Sequence, residues 1–122
     1  MISLKEYLKN KNRADDYLFV MANIKKEKTN LPMIVWIQVK QSMKHNFPRM
    51  KFANNTSNSL VPIDLVPISI SKNPKILSKG TTLKISNSDF QQLRNWIIRN
   101  EENLLKVWNS EIDTGDFLEL MK

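Results

Sequence analysis

At 122 residues with 41% hydrophobic content, the chain has material for one domain around one modest core, and no staple is needed. It has no cysteine, which excludes disulfides, thiolate nucleophiles and cysteine-based metal sites and suits a reducing cytosol. The net charge of +7 is unevenly spread: residues 1–84 hold 15 Lys/Arg against 5 Asp/Glu (+10), and residues 85–122 hold 4 against 7 (−3).

In chain order, Ser3 and Glu6 have capping-box spacing, and Leu4, Tyr7 and Leu8 share a helical face, so a short helix is predicted over residues 4–10. Lys5 and Glu6 interrupt the start before any apolar run that would serve as an export signal. Asp15 or Asp16 is placed to cap a second helix carrying Tyr17, Val20, Met21 and Ile24, although residues 18–20 also read as a buried strand. Thr29, Asn30 and Pro32 break the chain.

Residues 33–39 are mostly β-branched and aromatic and predict a strand buried on both faces. The longest strongly apolar stretch, 31–37, is far short of the roughly 18–20 residues of a membrane span, so a soluble, cytoplasmic protein is expected. Residues 40–48 read as a loop. Residues 49–53 alternate, with Arg49 and Lys51 outward and Met50 and Phe52 inward. After a polar turn at 54–59, Leu60-Val61-Pro62-Ile63 recurs as Leu65-Val66-Pro67-Ile68. Proline lacks a ladder donor, so both copies read as edge or bulged strands. Residues 81–85 predict a last short strand.

The strongest pattern is C-terminal. Ser86 or Ser88 caps a helix with Asp89 in its first turn and an apolar stripe of Phe90, Leu93, Ile97, Leu104 and Trp108, widened by Trp96 and Leu105. Asn100 interrupts the stripe and marks a point for a kink. Thr114 is placed to cap a final turn with Phe117 and Leu118. The expected architecture is α+β: a small, mainly antiparallel sheet of three to five strands packed against a long C-terminal helix. Residues 1–21 form an N-terminal helical extension and 22–122 a single domain. Trp36, Trp96 and Trp108 are expected to meet between sheet and helix.

The catalytic inventory is thin. His45 is the sole histidine and Gly80 and Gly115 the only glycines, so neither a zinc site nor a Gly-rich phosphate loop is expected, nor any cofactor. A metal-free ribonuclease would have to use His45 as base with Arg49 and Lys44 or Lys51 stabilising phosphorane charge. The same stretch reads better as a binding surface. Lys40, Lys44, Arg49 and Lys51 surround Phe47 and Phe52, cations interleaved with aromatics that stack bases. Lys25, Lys26, Lys28, Lys72, Lys75 and Lys79 extend the positive field. Lysine outnumbers arginine 15 to 4, which favours phosphate contact over base readout. The expected partners are RNA, a ribonucleoprotein or an acidic protein surface; an ordinary solvated lysine surface is the bland reading of the same charge.

The run Ala22-Asn23-Ile24-Lys25-Lys26-Glu27-Lys28-Thr29-Asn30-Leu31-Pro32, then Ile34 and Trp36, resembles the opening of a small bacterial family frequent in Bacteroidetes and without an assigned activity. Pro48-Arg49-Met50-Lys51, Asn54-Asn55, Trp96-Ile97 and Leu104-Leu105-Lys106-Val107-Trp108-Asn109 continue the resemblance over most of residues 22–112. Asn30 stands where that pattern has glycine. In length and Lys/Asn/Ile-rich composition the chain is also similar to an anti-CRISPR protein of the Cas13b-directed kind from Bacteroidetes mobile elements. That similarity implies binding to an RNA-guided RNA-cutting effector or its guide RNA. A component of a toxin–antitoxin-like pair is the rival implication.

Overall fold

The computed structural model describes residues 21–38 and 47–122 of the chain. Its elements are β1 (Ala22–Ile24), α1 (Lys26–Thr29), β2 (Val35–Ile37), β3 (Arg49–Ala53), β4 (Leu65–Ser69), α2 (Asn87–Trp108) and α3 (Thr114–Leu120). The helix expected at residues 4–10 and most of the second expected helix lie outside the described residues. Residues 22–24, assigned in sequence to the end of that second helix, are strand instead. Ile24 pairs with Val35 and sits in the core, and that cross-strand burial outweighs the helical spacing.

The strands form an antiparallel meander in the order β1-β2-β3-β4, and the protein is α+β. Ala22, Asn23 and Ile24 face Ile37, Trp36 and Val35; Val35, Trp36 and Ile37 face Phe52, Lys51 and Met50; and residues 49–53 face 69–65 in reverse. Because side chains alternate, this register lines one face with Ile24, Val35, Ile37, Met50, Phe52, Val66 and Ile68. Against it α2 lays Leu93, Trp96, Ile97, Leu104 and Val107. Burial of each large side chain contributes about 1.5–3 kcal/mol. Phe117 of α3 closes the core, meeting Trp96 edge-on at 5.9 Å, and Phe90 meets Phe52 at 6.0 Å.

The caps follow from sequence. Ser86 precedes α2 in extended backbone, and its Oγ accepts from Asp89 N at 3.0 Å. Asp113, not Thr114, caps α3, with a reciprocal bond between Asp116 and the Asp113 backbone. Asn100 does not split α2, which runs unbroken over 22 residues. Its Nδ2 donates to Trp96 O and Lys122 O, and its Oδ1 accepts from Lys122 N at 2.7 Å, so the buried amide tethers the end of the chain to the helix.

Three further expectations are corrected. Trp36 and Trp96 do not meet: Trp96 lies between sheet and helix, whereas Trp36 faces the opposite side with Ile34 and Ala53, backed by Met21 and Leu65; Trp108 is buried but joins neither cluster. Residues 81–85 form no strand. They are held by Asn54, whose Nδ2 donates to Thr82 O and whose Oδ1 accepts from Lys84 N at 2.8 Å. Of the two Leu-Val-Pro-Ile copies, only the second is a strand. The burial expected on both faces of residues 33–39 does hold for residues 33–38. Asn30 adopts φ 62°, the left-handed region that favours glycine and that asparagine tolerates.

Candidate nucleic-acid interface

The site is best built from the rim of the sheet face turned away from α2; the middle of that face, at Ile34, Trp36 and Gln38, is itself buried. The register aligns Asn23, Trp36, Lys51 and Pro67 in one row across that face, and places Arg49 beside Ser69 in the next. A fifth segment extends both rows. Ser69 N donates to Lys75 O, Leu77 N donates to Pro67 O, and Ile76 bridges Ile68. Ile76 therefore points inward, and Lys75 lies on the outer face beyond Ser69. Arg49 and Lys51 are two residues apart on one strand, about 7 Å, and Lys75 is two strands from Arg49, about 10 Å.

The electrostatics of this corner are unsettled. Arg49 and Lys51 are both half-buried, and Arg49 Nε is buried with no hydrogen-bond partner. Burial, together with the neighbouring Arg49 charge, pushes the Lys51 ammonium below its usual value. Among the described residues there are two ion pairs, Lys84 with Asp64 at 2.7 Å and Lys106 with Glu102 at 4.0 Å; neither involves Arg49, Lys51 or Lys75. Two cations held close in a partly desolvated setting without a carboxylate form a site that gains from an incoming anion.

Phe47 stands at the head of β3 with 66% of its surface exposed, an aromatic face available for stacking beside Arg49. Pro48 O accepts from Ile70 N, which brings the turn bearing exposed Lys72 to the same end of the sheet. Phe52, grouped with Phe47 in sequence, is wholly buried against Phe90 and offers no stacking surface.

The remaining sequence candidates do not join this corner. Lys25, Lys26 and Lys28 belong to β1's exit and α1, at the other end of the opposite edge strand; strand spacing puts Lys25 about 12 Å from Lys51 and about 17 Å from Arg49 across the sheet. There Lys25 and Lys26 line a cleft of about 270 Å³ with Glu27, Ile34, Asn58 and Leu60, and Lys26 Nζ is already committed to Thr56 O at 2.6 Å. Lys79 is exposed in the turn closed by Gly80 at φ 72°. Lys40, Lys44 and His45 lie outside the described residues, so the ribonuclease reading of His45 has no described geometry.

Arg94 escaped the sequence reading. Its Nε donates to Pro74 O at 3.1 Å, fastening the turn of Lys72 and Lys75 to α2, and its i, i+3 bond to Gln91 was the only local signal. Its role is to position that turn. Negative charge gathers on the other layer: α2, α3 and the residues joining them carry Asp89, Glu101, Glu102, Glu111, Asp113, Asp116 and Glu119. No helix of the described residues is long and apolar enough to cross a membrane, and no group of three or more His, Asp or Glu is placed to hold a metal among them. No protein-family model matches the chain, and neither a curated protein nor a solved structure does.

Proposed function

We propose that the chain is a non-catalytic cytoplasmic binding domain whose β3–β4 corner grips the phosphate backbone of RNA, bare or presented by a ribonucleoprotein, and so regulates the machine that handles it. One observation carries this reading: Arg49 and Lys51 sit side by side and half-buried with no carboxylate partner among the described residues, beside exposed Lys72, Lys75 and Phe47. Surface lysines that serve only solubility need no desolvation, whereas a cation pair kept partly dry at a cost in stability is matched to an anion that completes it. Point-charge contacts of this kind position a backbone and carry little sequence information. Guide RNA held by an RNA-cutting effector is one target of that description, in keeping with the inhibitor similarity noted in the sequence.

Mobility shift of the full chain against short single-stranded RNA over a salt series tests the proposal. Affinity falls steeply as salt rises if phosphates are neutralised. No binding, or binding insensitive to salt, removes it.

A further inference from the structure

The tandem repeat leaves one of its copies without a place in the fold. In the second copy Val66 and Ile68 are core residues of β4. In the first, Leu60, Val61 and Ile63 are 43%, 54% and 68% exposed. The first copy is held mainly by a tight bond from Ile63 N to Val61 O and by Val61 N on Ser59 Oγ.

The geometry points to a second register of the β3–β4 hairpin, in which residues 60–65 replace residues 65–70. Leu60, Val61, Pro62 and Ile63 then take the places of Leu65, Val66, Pro67 and Ile68, residue for residue. Leu65 takes the buried place of Ile70, so the core receives the same or an equivalent apolar side chain throughout. A slip by an odd number of residues ordinarily turns a strand's apolar set to the wrong face. Here the repeat period is itself odd, five residues, so Val61 and Ile63 face inward once the strand has turned over. The prolines fit as well. Ser69 N and Pro67 O point to the 75–77 segment, so the missing N–H of Pro67 faces that segment and costs β3 no bond. Pro62 inherits that position.

One replacement is not neutral. Asp64 takes the place of Ser69, directly across from Arg49. Cross-strand neighbours are within reach of an ion pair. The second register thus gives Arg49 a carboxylate, which no described residue supplies here, and extends Asp64, which is otherwise held at φ 57°, a left-handed conformation that aspartate adopts only occasionally. Against it stand the contacts of the described register: Asn54 N on Asp64 O at 3.1 Å and Lys84 on Asp64. Because the strand must detach and turn, the two registers exchange by local unfolding of β4, not by sliding. The exchange is a built-in switch that leaves Arg49 without a described carboxylate in one state and neutralises it in the other. It concerns strand pairing and stands whether or not RNA is the ligand.

Cysteine pairs test it, because the chain has none of its own. Lys51→Cys/Pro67→Cys reports the described register, Lys51→Cys/Pro62→Cys the second, and Lys51→Cys/Ser59→Cys the motion of the loop alone. Under equilibrating glutathione the 51–67 disulfide forms in the first variant. The 51–62 disulfide forms at least about tenfold faster than 51–59, since a disulfide demands close, facing Cβ atoms. A smaller ratio, or no 51–62 disulfide where 51–67 forms, overturns the second register.

Discussion

Replacing Arg49 and Lys51 together by glutamine removes two cations from the proposed interface and keeps polar side chains in their places. Each phosphate neutralised on a single strand contributes about −0.7 to the slope of log affinity against log salt. With Arg49, Lys51, Lys72 and Lys75 engaged the slope is about −2.8, and with Lys72 and Lys75 alone about −1.4. A fourfold rise in salt therefore weakens the parent chain about 48-fold and the double variant only about 7-fold. Anisotropy of a short labelled oligouridylate at several salt concentrations reads both slopes. The variant also melts no lower than the parent, because neither side chain holds an ion pair among the described residues. Lys25→Gln/Lys26→Gln, at the opposite corner, keeps the parental slope. An unchanged slope in the Arg49/Lys51 variant, or the loss appearing in the Lys25/Lys26 variant, refutes the assignment of the site.

Other consequences follow from the same geometry. Since the folded state holds the Lys51 pKa below its unfolded value, the unfolded chain binds more protons between the two, and Lys51's contribution to stability rises with pH through that window. Lys51→Met removes this rise, as urea midpoints measured between neutral pH and about pH 10.5 will show. Asn100→Ala releases Lys122 from α2 and costs about 1–3 kcal/mol, read as a lowered melting temperature and loss of amide protection at Lys122. Phe117→Ala, at a wholly buried position facing Trp96, costs about 3–5 kcal/mol in denaturant unfolding, with α2 still intact by circular dichroism.

Where burial has a simple period, the fold was legible in the residues. Arg49 to Phe52 alternates strictly, and both the strand state and the outward direction of Arg49 and Lys51 could be read from it. The stripe of α2 was legible for the same reason, down to Leu93, Ile97 and Leu104. Long-range pairing was not. Two identical tetrapeptides carry the same local preference, and long-range contacts such as Asn54 N on Asp64 O and Lys84 on Asp64 decide which one is β4. Trp36 was assigned to the wrong side because a strand apolar on both faces does not say which face meets the helix. Of the candidate site, the cationic character was visible, but its division into opposite corners depends on the meander and on the 75–77 segment. The left-handed backbone of Asn30 became visible only with the structure.

The central claim is that anions are met by the outer face of the sheet at the β3–β4 corner. Titration of the isotopically labelled chain with short single-stranded RNA, followed through backbone amide shifts, tests this most directly. The account predicts the largest changes at Phe47, Arg49, Lys51, Ser69, Lys72 and Lys75, and little change along α3. Changes centred on α1 or on the acidic helices, or none at all at saturating RNA, contradict it.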